Sequence, residues 1–165
     1  MSSSTPEAFT AAVLTISDSS ARGERADLSG PAVAEALLRN EFQVVAREIV
    51  ADEQASIREA IVRLAAQARL VVTTGGTGIA ERDVTPEATR AVCDRLLDGV
   101  AERMRLVGSR TTPFAALSRS VCGVKGTSIV LNVPGSPNGA VESLEAVVDL
   151  LPHALQLLSG HTAHG

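Results

Sequence analysis

The chain has 165 residues, 45% of them apolar and 21% charged, with a formal net charge of −4. That length suits one domain with a substantial core, and the balance is that of an ordinary soluble globular protein. An acidic excess, no tryptophan or tyrosine and only three phenylalanines argue against a nucleic-acid partner, which wants a basic field and rings on which bases can stack. Along the chain, Ala11–Ile16 is apolar enough for a strand buried on both faces. It runs into the polar cluster Ser17-Asp18-Ser19-Ser20 and a charged loop from Arg22 to Asp27. A helix opens over Asp27-Leu28-Ser29-Gly30-Pro31, with Asp27 or Ser29 as cap and Pro31 in the first turn. Its buried face is expected to be Val33, Ala34, Leu37 and Leu38. Phe42–Val50 reads as a second strand with Val44, Ala46 and Glu48 on one face. From Asp52 a second helix carries Ile57, Ala60, Ile61, Leu64 and Ala68 at helical spacing.

Leu70-Val71-Val72 is the third strand, and it feeds Thr73-Thr74-Gly75-Gly76-Thr77-Gly78. Thr85 is expected to cap a helix whose apolar positions are Ala88, Ala91, Val92 and Leu96. A further helix over Val100–Val107 contains Met104, and Ala115–Leu117 reads as a helical turn. Val121–Val133 holds two strand-like runs broken at Lys125-Gly126, a spacing that predicts a hairpin with one antiparallel strand. The last helix spaces Val141, Leu144, Val148, Leu151, Leu155 and Leu158 along one face, and Pro152 should kink or split it. Alternating strands and helices with short connections predict an α/β fold: three layers around a mostly parallel, doubly wound sheet with an antiparallel edge strand. One domain over residues 8–159 is expected, with flexible tails at 1–7 and 160–165.

Several chemistries are excluded by inventory. Lys125 is the only lysine, so no Walker A loop can be built. Cys93 and Cys122 form no metal motif with the three histidines and read as reduced, packed thiols. His153 falls inside the last helix, and His161 and His164 belong to a solvated tail. No Ser-His-Asp or Cys-His set assembles. The Ser/Thr/Pro-rich start lacks the regions of a signal peptide, and no uncharged apolar run approaches the about 20 residues that cross a bilayer. The expectation is a cytoplasmic protein with no membrane partner.

Three segments then share one rim, at the carboxyl ends of strands, where open α/β sheets bind ligands: Ser17-Asp18, the glycine loop, and Pro134-Gly135-Ser136-Pro137. Glycine-rich backbone and helix N-termini favour anions, so a phosphorylated ligand fits. The loop lacks the full Gly-x-Gly-x-x-Gly order, and no helix starts directly after it. Ser17 and Asp18 taken alone fit a plain turn. Asp52 has the pattern of a capping aspartate. Asp83 precedes Val84 and is not the cap, and a carboxylate beside a phosphate loop suits Mg²⁺. Phosphoryl or nucleotidyl transfer, which needs mainly positioning and charge neutralisation, suits this inventory best.

The order Thr73-Thr-Gly-Gly-Thr-Gly78, Asp83-Val-Thr-Pro-Glu-Ala88, Leu117-Ser-Arg119 and Pro134-Gly-Ser-Pro137, with Ser17-Asp18 and Asp27-Leu-Ser-Gly30, resembles the Mog/MoaB family of molybdenum cofactor biosynthesis proteins. The likeness runs from about Ala11 to Leu158. It implies a molybdopterin-binding fold, a homotrimer or a larger assembly of trimers, and transfer of AMP from ATP to the terminal phosphate of molybdopterin with release of pyrophosphate. It further implies Mg²⁺ at Asp52 and Asp83, the family's two functional aspartates by motif. The substrate-binding set it implies is Ser17, Asp18, Thr74, Gly75, Gly76, Thr77, Gly78, Ser118, Arg119, Pro134, Gly135, Ser136 and Pro137. In this reading Arg119 and the loop amides screen the repulsion between two anionic substrates, and a molybdenum insertase is the downstream partner. The alternatives are a non-catalytic molybdopterin carrier and, more remotely, a nicotinamide-dependent oxidoreductase. The latter's fingerprint belongs after the first strand, where Ser17-Asp18-Ser19-Ser20 stands.

Overall fold

The computed structural model describes residues 7–160. The tails expected at 1–7 and 160–165, with His161 and His164, lie outside the described residues except for Glu7 and Gly160. Six strands, β1 (Thr10–Ile16), β2 (Gln43–Val50), β3 (Leu70–Thr74), β4 (Arg95–Leu96), β5 (Cys122–Lys125) and β6 (Ser128–Val133), form one sheet in the order β2-β1-β3-β6-β5-β4. The first four in that order are parallel; β5 runs antiparallel to β6 as the hairpin spacing predicts, and β4 antiparallel to β5. Around the sheet lie α1 (Asp18–Ala21), α2 (Ser29–Arg39), α3 (Gln54–Ala65), α4 (Thr85–Val92), α5 (Asp98–Gly108), α6 (Pro137–Val147) and α7 (Leu151–Leu158).

Strand alternation divides the core into two layers. Ala11, Val13, Leu70, Val72, Ile129 and Leu131 face α2, α5, α6 and α7, against Val33, Leu37, Met104, Leu144, Leu151 and Leu155. Ala12, Leu14, Val71 and Val130 face the other way, onto Ile57, Ile61, Leu64 and Ala88 of α3 and α4. The central strands are therefore buried on both faces, as their unbroken apolar runs require. The edge strand β2 instead alternates exposed and half-buried positions.

The helix at Pro152 splits rather than kinks: α6 ends at Val147, a 3₁₀ turn spans Val148–Leu150, and Pro152 sits in the first turn of α7, where its missing N–H costs nothing. Several local expectations need correction. Leu38 is 60% exposed and leaves the buried face of α2. Ala91 is exposed, and Leu96 belongs to β4 because α4 ends at Val92. Thr85 starts α4 but does not cap it; its hydroxyl donates to the Gly75 carbonyl at 2.9 Å. That bond fixes the loop after β3 onto the helix that follows it. Beneath the loop, buried Asn132 on β6 donates to the hydroxyls of Thr73 and Thr89 at 2.9 Å each and accepts from the Val121 amide at 3.1 Å. Strand β3, helix α4 and the approach to β5 are thus locked by one fully satisfied polar group.

Candidate functional site

The carboxyl ends of β1, β3 and β6 converge, and the three rim segments meet there. Gly75 (φ +109°) and Gly76 (φ +68°) take conformations that L side chains rarely adopt. A Cβ on Gly75 would collide with the Ile16 carbonyl, and one on Gly135 would stand 3.3 Å from the Gly75 Cα. The Gly75 amide donates to the Val133 carbonyl at 3.1 Å, and the Thr74 hydroxyl to the Pro134 carbonyl at 2.7 Å. Backbone packs against backbone, leaving no room for side chains. Ser136 caps α6, accepting from the Gly139 amide at 3.2 Å, with Pro137 as the first helical residue.

Two cavities open on either side of this junction. A polar cleft of about 350 Å³ is lined by Thr15, Ser17, Arg25, Asp27, Ser29 and Asp52 on one wall, and by Thr74, Gly75, Pro137 and the shared residues on the other. A largely apolar groove of about 580 Å³ runs past Thr77, Gly78, Ile79, Phe114, Leu117 and Ser118. Gly76, Asp83, Gly135 and Ser136 line both. Phe114 and Ile79 are 74% and 71% exposed, so the groove walls offer unfilled apolar surface.

Asp18 and Asp52 exchange hydrogen bonds: each backbone amide donates to the other's carboxylate at 2.9 Å. Asp52 does not cap α3, which begins at Gln54 after Glu53. Arg82 donates to both oxygens of Asp18, at 2.7 and 2.8 Å, and holds that carboxyl below the usual aspartate range, aided by the Asp52 amide. Burial pushes the Asp52 carboxyl up, and the negative charges of Asp18 and Asp83 add to the shift. Asp83 accepts from the Ala80 amide at 3.0 Å through Oδ2. Among the described residues, Asp52 Oδ1 and Asp83 Oδ1 have no hydrogen-bond donor. With Asp18 already neutralised by Arg82, two carboxylates share the cleft wall with a free oxygen each, a donor set that fits a divalent cation completed by water and phosphate oxygens. No group of three or more His, Cys, Asp or Glu side chains stands ready to hold a metal among the described residues, so protein ligands alone would not complete its shell.

The structure brings every expected site residue except Asp18 and Arg119 to the lining of one cavity or the other. Asp18 lies behind Asp52. Ser17 lines the cleft while capping α1, accepting from the Ser20 amide at 3.3 Å, so the segment is a capped helical turn at the cleft wall. Ser118 faces the groove and bonds Ser120 at 3.1 Å. Arg119 is committed to the protein: its guanidinium donates to the Gly78 and Asp83 carbonyls at 2.8 and 2.6 Å and to Glu87 at 2.7 Å. It clamps the loop that carries Asp83, with each of its three nitrogens engaged by a protein acceptor. Sequence reasoning passed over Arg82, Glu87, Asp27 as a cleft residue, and the apolar groove residues Ile79, Phe114 and Leu117. The charged pair Arg82-Asp83 in an otherwise polar bend was the available signal for the first.

A family model described as a probable molybdopterin binding domain matches residues 12–153. A molybdopterin adenylyltransferase of Helicobacter pylori strain J99 is 43% identical over 156 residues, covering 90% of this chain and 87% of the relative. The Escherichia coli K12 protein of the same description is 38% identical, covering 90% and 84%. Among solved structures, the molybdopterin biosynthesis enzyme MoaB of Thermus thermophilus matches with a TM-score of 0.85 at 53% identity, over 92% of this chain and 97% of that one. The chain belongs to the Mog/MoaB family of molybdenum cofactor biosynthesis proteins.

Proposed function

We propose that this protein is a molybdopterin adenylyltransferase, a nucleotidyltransferase of molybdenum cofactor biosynthesis that joins AMP from Mg-ATP to the terminal phosphate of molybdopterin. The observation that carries this reading is the pair of cavities meeting at Asp83: a carboxylate-walled cleft and an apolar groove share one short stretch of glycine-rich backbone. Relatives at 38–43% identity over most of the chain carry that activity as their name. The cleft would take the nucleotide's phosphates, and the groove, lined by Thr77, Gly78, Ser118 and Pro134, the pterin.

In the reaction an oxygen of the molybdopterin phosphate attacks the α-phosphorus of ATP. The bond from that phosphorus to the bridging oxygen of the β-phosphate breaks, and pyrophosphate leaves with the electron pair. Both reactants are anions, so the barrier is largely one of bringing them together. Mg²⁺, when bound, supplies charge neutralisation at the phosphate oxygens. Asp52 and Asp83 are its proposed protein ligands. The Gly76 amide and the α6 N-terminus at Ser136 favour negative charge where the two cavities meet. Arg119 acts indirectly, by holding the Asp83 and Gly78 carbonyls. The fuller reading adds a cytoplasmic homotrimer that delivers its product to a molybdenum insertase. The test is pyrophosphate release from Mg-ATP: this account expects release only when molybdopterin is also present. Pterin binding without pyrophosphate release would make the protein a carrier instead.

A further inference from the structure

We propose that Arg82 is a positioning residue: it fixes Asp18, and through Asp18 the carboxylate of Asp52, in the geometry that meets the nucleotide's cation. The link to the cation rests on the adenylyl-transfer reading above; the arrangement itself rests on geometry alone. Arg82 reaches from the bend after the glycine loop back to the start of α1 and engages both Asp18 oxygens, at 2.7 and 2.8 Å. Such a planar two-bond fork fixes orientation as well as charge. Asp18 Oδ1 also accepts from the Asp52 amide, and Asp52 Oδ2 accepts from the Asp18 amide, both at 2.9 Å. Asp52 Oδ1 is then left pointing toward Gly76, where a Cβ would lie 3.2 Å from it.

Arg82 is not part of the cleft lining. It lies on a separate surface depression with Glu53, Gln54, Glu81 and Val84, on the far side of Asp52. From there its guanidinium is spent on Asp18. Its chain neighbour Asp83 faces the cleft, so one bend delivers one aspartate directly and braces the other from behind. Groups that orient a metal-binding carboxylate in this way typically govern metal affinity or activity by about 10–100-fold.

A counter-ion and a positioning residue predict opposite signs. A cation that merely offsets the carboxylates weakens the site for Mg²⁺, so its removal should tighten metal binding. A residue that holds Asp52 in place should do the reverse. The ligand-free readout is amide hydrogen exchange at Asp18 and Asp52 in Arg82→Gln and Arg82→Lys. Arg82 is 61% exposed at its side chain, so both variants are expected to fold. The expected result is exchange at both amides at least about tenfold faster in Arg82→Gln, with little recovery in Arg82→Lys, which keeps the charge and loses the fork. In steady-state assays the Mg²⁺ concentration for half-maximal AMP incorporation should rise about tenfold, with the KM for molybdopterin unchanged. Asp18→Asn combined with Arg82→Gln should be no worse than Asp18→Asn alone, since both act through one carboxylate. Unchanged exchange in Arg82→Gln, a lower Mg²⁺ requirement, or full additivity with Asp18→Asn would each overturn the proposal. If the wild-type protein performs no Mg-ATP-dependent transfer, the functional reading fails, and the exchange data still decide whether Arg82 holds Asp52.

Discussion

The polar cleft and the apolar groove meet at Gly76, Asp83, Gly135 and Ser136, yet they are built differently. The cleft is closed by backbone: strand ends pressed together at Gly75, Ile16 and Gly135, carbonyls and amides paired across them, and carboxylates held by one another's amides. The groove is walled by side chains of Ile79, Phe114 and Leu117, all more than half exposed, carried on a bend and a short 3₁₀ turn (Pro113–Leu117). One half is arranged to hold charge at set distances; the other offers surface for a flat, partly apolar partner. Mutations should therefore fail differently in the two halves.

The largest stability effect is expected in the cleft. Gly75→Ala combines a φ of +109° with a collision against the Ile16 carbonyl, and should lower unfolding free energy by about 2–3 kcal/mol in urea titration. Gly126→Ala is the matching control. It shares a positive φ of +61° but meets open space in the β5–β6 turn, so only about 1 kcal/mol is expected. Equal losses at the two positions would mean that close approach of strand ends does not shape the cleft.

In the groove, Phe114→Ala should leave stability within about 0.5 kcal/mol, because the ring is largely exposed. It should weaken molybdopterin binding by about fivefold, the value of about 1 kcal/mol of lost ring contact. The KM for ATP should stay constant. If both substrates weaken together, the division between cleft and groove is wrong.

The smallest effect runs opposite to the usual direction. Burial, with Asp18 and Asp83 nearby, raises the Asp52 carboxyl, so its ionised form costs stability. Asp52→Asn should stabilise the fold slightly, by less than about 1 kcal/mol given solvent access to the cleft. The gain should be present above the folded-state pKa of Asp52 and disappear as pH falls through it. Asp18, lowered by Arg82, has the reverse sign: its contribution is present above the ordinary aspartate pKa and is lost as pH falls through its own lower value. Thermal melts of both Asn variants from about pH 2 to about 8 separate the two. A loss of stability for both at neutral pH would contradict the assignment.

The same contrast explains what could be read from the sequence. Gly75-Gly76, Asp83 and the Pro134–Pro137 turn stand out because backbone closure demands glycine and proline at strand exits, and unbroken apolar runs mark β1, β3 and β6. The antiparallel β5 and the split at Pro152 were legible for similar local reasons. Thr85 has the sequence pattern of a cap, but its hydroxyl bonds ten residues back, to Gly75. Leu96 fits the helical spacing of α4 in sequence, because a two-residue strand leaves no periodicity of its own. Arg119 looked like a substrate contact, since nothing in Leu117-Ser-Arg119 reveals that Gly78, Asp83 and Glu87 surround its guanidinium. The groove left little sequence signal, because exposed Ile79, Phe114 and Leu117 carry no pattern until the fold brings them together.

Asp83→Asn tests the central claim most directly, with AMP incorporation from Mg-ATP and molybdopterin binding measured on the same preparation. The account predicts incorporation reduced by at least about 100-fold, as when a principal electrostatic group is lost, with molybdopterin affinity within about twofold of wild type. Undiminished incorporation, or a parallel loss of pterin binding, would contradict it.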